Sequence, residues 1–197
     1  MLRPIYLQPG DKVALISPSG VATKEQLDAA CSLLTSWELE PVPGQHVLSR
    51  HGRLAGTDEE RLHDLQTALD AEDIRAIWCM VGDYGMLRIV QEADYSIFQG
   101  NPKWVIGMND ITVLHSKLHS LGIESLHAFM PSDYNTTSPE VVTQLRNFLF
   151  GIISSYAIPA HPFNRPGIVE TEMIGGMLQW VHNLHDTCIE RNTRGTI

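Results

Sequence analysis

The sequence predicts an α/β domain built on a mostly parallel sheet with helices on both faces. Two observations carry this. Solid apolar runs, too uniform for strands with one wet face, recur along the chain. Amphipathic helical stretches with start signals separate them, which is the alternation that parallel sheets need.

Val13 to Ile16 is the first apolar run, a strand ended by Ser17-Pro18-Ser19-Gly20. Thr23 can cap a helix that places Leu27, Ala30, Cys31 and Leu34 on one face. "ELEPVPG" reads as a weak second strand and turn. Thr57 and Glu60 have capping-box spacing, and Asp58, Glu59 and Glu60 favour the positive end of the helix dipole. Leu62, Leu65 and Leu69 give that helix its apolar stripe. "IRAIWCMV" is a strand broken by "GDYG", with a short helix expected over 86–91. "NPKWVIG" is a further strand, followed by a helix over about 110–119, and "ESLHAFM" is another strand candidate. Ser138 and Pro139 open a helix that runs to Phe150. The stretch 156–176, with Pro159, Pro162, Pro166 and Gly167, reads as a crossover, followed by a last helix over 176–185. The expected division is therefore 1–155 as the α/β unit and 156–197 as a linker with the start of a second unit.

Composition narrows the function classes. The 14 Lys and Arg against 23 Asp and Glu give a formal charge of −9, which repels phosphate backbones, so no nucleic-acid partner is expected. Cys31, Cys79 and Cys188 form no CxxC and predict neither a disulfide framework nor a zinc–thiolate site. No secretory leader is recognisable and no apolar run approaches the ~18 residues of a membrane span, so a cytoplasmic protein without a membrane partner is expected.

Ligands in open α/β sheets bind beyond the carboxyl ends of the strands. Three turns are expected there: Ser17–Gly20, Gly82–Gly85 and Gly107–Asp110. Parallel sheets carry such turns with or without a ligand, so residue types alone leave both readings open. "GDYG" is not a GxGxxG loop, and no dinucleotide site is expected. "GMND" after a strand is placed like a nucleophile elbow, but Asn109 has no basic nitrogen with which to attack, and Asp110 suits capping of the next helix. The histidine pairs His115/His119 and His182/His185, with His127 nearby, lack HExxH spacing or an adjacent carboxylate. Neither a metal nor another cofactor is expected.

Several segments together resemble the LD-carboxypeptidase family of serine peptidases, the muramoyl-tetrapeptide carboxypeptidases, which also includes the microcin C self-immunity proteins. "VALISPSG" resembles the family's first strand and turn. "RLAGTDEERLHDLQTAL" resembles its AGT-x-x-x-R-L-x-D-L segment, and "VGDYGMLRIV" its R-G-G-Y-G-x-x-R-L-L strand end. "NPKWVIGMNDITVLH" resembles N-P-K-x-x-x-G-Y-S-D-I-T-x-L-H, "LHAFMP" the H-G-P-M segment, and "IGGMLQWVHNL" G-G-N-L-S-x-L. The resemblance implies a two-domain hydrolase that removes the terminal D-amino acid from L,D-linked murein peptides with a Ser–His–Glu triad. It puts Asn109 at the nucleophile position, Gly82, Asp83, Tyr84 and Asp110 around the oxyanion and substrate pocket, and Ser19 and Met130 at its edge.

The sequence departs from the family pattern at these points. Serine is replaced by Asn109, the Arg of R-G-G-Y-G by Val81, and its second Gly by Asp83, an acid expected to repel an oxyanion or a substrate carboxylate. Met177 and Gln179 replace the Asn and Ser of the last motif. The triad Glu and His, which the family draws from its C-terminal domain, have no matching position, and that domain is expected to be largely absent. The expected function is that of an LD-carboxypeptidase relative that is inactive in this chain, with a non-catalytic peptide- or partner-binding relative as the alternative. A murein peptide is the expected partner, and self-association as a homodimer is a further expectation from exposed apolar surface.

Overall fold

In a computed structural model the described residues are 1–152, 155, 159–165, 167–185 and 187. Five strands form one sheet in the order β2-β1-β3-β4-β5, with every neighbouring pair parallel. They are β1 (Lys12–Ile16), β2 (Glu40–Pro43), β3 (Ile74–Cys79), β4 (Trp104–Gly107) and β5 (Leu126–His127). Helices α1 (Lys24–Ser36), α2 (Asp58–Asp70), α3 (Met86–Ile89), α4 (Ser96–Gly100), α5 (Thr112–Ser120), α6 (Pro139–Leu149) and α7 (Leu178–Asn183) complete the fold.

The strands alternate their side chains between two separate cores, as a pleat requires. Ala14 and Ile16 of β1, Ile77 and Cys79 of β3, and Val105 of β4 face a core closed by α2, α3, α5 and α7. Val13, Leu15, Ala76, Trp78, Trp104 and Ile106 face the other core, closed by α1 and α6. Burial on both faces explains the unbroken apolar runs in the sequence. β2, which carries Pro41 and Pro43, lies at an edge, where a missing N–H costs no interior ladder bond.

The capping signals at Thr23 and Thr57 operate, while Ser138, at the N-cap of α6, makes no side-chain cap bond. Thr23 accepts from the Gln26 amide and Thr57 from the Glu60 amide, and each N3 side chain returns a bond to the cap amide. Three elements differ from expectation. The helix expected from about residue 110 is a 3-10 turn over Asn109–Ile111 that becomes α5 at Thr112. The strand expected from "ESLHAFM" pairs only at Leu126 and His127, because Pro131 starts a 3-10 turn over Pro131–Thr136. The last helix spans only Leu178–Asn183, yet its Trp180 and Leu184 bury into the same core as α5, so it packs on the α/β unit. No helix among the described residues is long and apolar enough to cross a membrane.

Candidate active site

The order 2-1-3-4-5 reverses its direction of winding between β1 and β3, and the carboxyl ends of these strands form the crevice where doubly wound sheets bind ligands. The loops after β1, β3 and the adjacent β4 meet there around one buried carboxylate. Asp110 is fully buried. Its Oδ2 accepts from Ser19 Oγ at 2.7 Å and from the Met86 amide at 3.1 Å, while Oδ1 accepts from the Asp83 amide at 3.0 Å. Asp110 therefore does not cap its own helix. It ties the β1 loop, the β3 loop and the first turn of α3 to the β4 loop. Burial pushes its carboxyl pKa up, and the bonds from Ser19, Met86 and Asp83 oppose that shift.

Asn109 stands at the tip of the strand-to-helix turn. Met108 is extended, Asn109 has φ +61°, and Thr112 is already helical. Left-handed backbone at a non-glycine residue is uncommon, and Asn tolerates it better than most. The half-buried Asn109 amide donates from Nδ2 to the Gly82 carbonyl at 3.3 Å. A Cβ on Gly82 would lie 2.7 Å from the Met108 carbonyl and 2.9 Å from Asn109 Cβ, so only glycine lets these two loops come so close.

A buried arginine locks the same loops from below. Arg61 of α2 donates from Nη1 to the Pro18 carbonyl at 2.6 Å and to the Gly85 carbonyl at 3.0 Å, and it pairs with Asp58. Arg88 holds Asp58 from the other side, its Nε 2.9 Å from Oδ1. Arg61 is the Arg of the AGT-x-x-x-R-L segment, which gives that motif a positioning role. Below the end of β4, His115 Nε2 donates to the Gly107 carbonyl at 3.0 Å, and its Nδ1 faces Ser125 Oγ at 2.8 Å. This histidine is engaged by the fold. His115, His119 and His127 form no three-ligand group among the described residues.

The structure thus brings together Ser19, Gly82, Asp83, Asn109 and Asp110. Tyr84 stands at the rim, 43% exposed, with its ring 6.4 Å from Trp180 of α7. Met130 is buried in the core on the α5 side, 3% exposed. The acid at position 83 has a partner in the fold. Arg53 of the β2–α2 connection places Nη2 2.7 Å and 3.0 Å from the two Asp83 oxygens, so the acid carries its own counter-ion. Arg53 was not legible as a site residue, because nothing local links it to a loop 30 positions away. A separate open groove of about 720 Å³ runs along β5, bordered by Arg3, Glu124, His127 and Glu172, and shares no lining residue with the Asp110 cluster.

A doubly wound sheet with a left-handed residue at a strand–turn–helix elbow, backed by a glycine and a buried carboxylate, defines an α/β protein of hydrolase-like architecture. The LD-carboxypeptidase N-terminal domain family matches residues 13–128, and the chain belongs to that family. A putative carboxypeptidase of Streptomyces coelicolor is 34% identical over 189 residues, which are 90% of this chain and 60% of the relative. The probable murein peptide carboxypeptidase of Bacillus subtilis is 30% identical over 201 residues, 99% of this chain and 63% of the relative. The chain thus spans less than two thirds of these relatives' length. Among solved structures, the microcin C7 self immunity protein in its apo state has a TM-score of 0.83 at 20% identity, covering 100% of this chain and 69% of that one. At that identity the likeness concerns the fold.

Proposed function

We propose that this chain is a non-hydrolytic member of its family that binds L,D-linked murein peptides at the Asp110 loop cluster. The observation that carries the proposal is Asn109 at the elbow with φ +61°. Acyl transfer needs an attacking atom whose lone pair is free and whose proton a base can take. The Asn109 amide nitrogen has neither property, and here it donates to the Gly82 carbonyl. Losing the nucleophile in a serine hydrolase lowers turnover by several powers of ten.

Binding needs less than chemistry does. The loops that would cradle a peptide are held by Asp110 and Arg61, neither of which depends on a nucleophile. Arg53 at the rim supplies a cation for a terminal carboxylate, and Asp83 an acceptor for an ammonium or amide group. The murein peptide is taken from the Bacillus relative and from a murein tetrapeptide carboxypeptidase of Pseudomonas aeruginosa, 38% identical over 122 residues.

Two measurements on the purified chain test the proposal. Incubation with an L,D-linked tetrapeptide is expected to release no D-alanine beyond a heat-killed control, and turnover above that control overturns the non-hydrolytic reading. Calorimetric titration with the same peptide is expected to show saturable heat, and a flat titration removes the binding reading.

A further inference from the structure

We propose that His46, His63 and Asp64 form a binding site for one divalent transition-metal ion of the zinc class, on the connection between β2 and α2. The three side chains come from two elements. His46 follows β2, and His63 and Asp64 are consecutive in α2. Their ligand atoms lie within 4.8 Å of one another. Asp64 Oδ1 faces His46 Nδ1 at 3.0 Å and His63 Nδ1 at 3.4 Å. Tetrahedral zinc with bonds of about 2.0–2.1 Å separates neighbouring ligand atoms by about 3.3 Å. Two edges of the group therefore already have the spacing an ion imposes, and the third lies within 4.8 Å, on the side of the more exposed His63 ring.

The carboxylate is preorganised. Asp64 is buried, its side chain 4% exposed, and its Oδ2 accepts from the His46 amide at 2.8 Å. That bond leaves Oδ1 as the oxygen that faces both rings. The loop lies close at Gly44, where a Cβ would stand 2.4 Å from Oδ2 and would push the carboxylate aside. The two imidazoles meet edge to face at 5.2 Å. The His63 side chain is 53% exposed, so solvent reaches the open side of the group. Two imidazoles, one carboxylate and an open position match the donor set of zinc sites that keep a water.

The alternative occupant of this geometry is protons. Both rings can donate Nδ1–H to Oδ1, which satisfies the cluster without an ion. The ion takes the place of those two hydrogens, and the neutral rings carry their proton on Nε2 instead. A bound ion would bridge the loop after β2 to α2, just before the turn over His51–Leu54 that carries Arg53 to the cleft. The site would thus brace one wall of the crevice without touching it. Sequence reading misses it because His46 and His63 stand 17 positions apart, without ligand-motif spacing.

The test uses the full chain stripped with a chelator and titrated with Zn2+ alone, by calorimetry and by thermal unfolding. One saturable equivalent and a zinc-dependent rise in Tm are expected. His63→Ala and His46→Ala are each expected to weaken zinc binding at least tenfold and to abolish the rise in Tm. His63→Ala, at a half-exposed helix position, is expected to leave the zinc-free Tm unchanged, which separates ligand loss from misfolding. Absence of saturable uptake, or wild-type zinc affinity in His63→Ala, overturns the site. No peptide enters the experiment, so its outcome is independent of the cleft's activity.

Discussion

Replacing Asp110 is expected to loosen three loops at once, and the size of the effect follows from its partners. Asp110→Ala removes the acceptor of the Ser19 hydroxyl and of the Asp83 and Met86 amides. The Ser19 hydroxyl and the Met86 amide are buried, and the Asp83 amide is partly reached by water. A buried donor left unpaired costs about 1–3 kcal/mol, and a half-wet one costs roughly the lower end of that range. Release of a buried charge offsets part of the loss. The sum is a destabilisation of about 3 kcal/mol, measured by urea unfolding. Asp110→Asn keeps one oxygen for Ser19 and Met86 and turns its new NH2 toward the Asp83 amide, so one bond is lost, at a cost of about 1 kcal/mol.

The pH dependence gives an independent check. Burial raises the folded carboxyl pKa above its ordinary 3.8, so the folded chain takes up this proton more readily than the unfolded chain. The stability tied to that proton is fully present below 3.8 and is lost as pH rises through the folded pKa. Asparagine has no such dependence. The margin of wild type over Asp110→Asn is therefore expected to be larger near pH ~3.5 than near neutrality. A cost below about 1 kcal/mol for Asp110→Ala, or a margin that grows toward neutral pH, would refute the view of Asp110 as the buried tie between the loops.

Gly82→Ala is expected to destabilise by about 1–3 kcal/mol, because its Cβ would press on the Met108 carbonyl, and to shift amide resonances of 107–111 by NMR. Asn109→Ala is expected to cost about 1 kcal/mol in the same unfolding assay, since alanine takes the left-handed conformation without the bond to the Gly82 carbonyl. Thr57→Ala removes one half of a capping box and is expected to cost about 1 kcal/mol. Arg53→Ala breaks an exposed ion pair and is expected to change stability by less than about 1 kcal/mol, while weakening peptide binding in the calorimetric titration.

The scaffold was legible in the sequence because its signals are local. Val13–Ile16 must be buried on both faces, and Thr57 with Glu60 fits a capping box whatever surrounds it. The meeting of three loops could be anticipated from the rule about strand ends, since β1, β3 and β4 proved to be neighbours. What could not be read was which side chain joins them. Asp110 looked like a cap for the helix beginning at its own position, and only the crossing of β3 beside β4 brings the amides of Asp83 and Met86 within its reach. The zinc-type cluster was hidden for the same reason. His46 meets His63 through the return of the chain from β2 into α2, and that geometry leaves no spacing rule in the sequence.

The electrostatics of position 83 bear on what the cleft can still do. Read alone, an acid where the family has glycine argues against any anionic ligand. In the fold, Asp83 is paired with Arg53, and both partners are substantially exposed, with side-chain accessibilities of 45% and 71%. An exposed pair is worth less than about 1 kcal/mol, so a ligand carboxylate can take the guanidinium from Asp83 at little cost. An ammonium can equally take Asp83 from Arg53. While Arg53 stays between the two carboxylates, Asp83 repels an anionic ligand less than an isolated acid would. On the proposed reading hydrolysis fails already at Asn109, which keeps the left-handed turn of the elbow and lacks the attacking oxygen. On that reading recognition of a peptide end asks only for the shape and charge of this site, whereas cleavage asks for an attacking group that Asn109 does not supply.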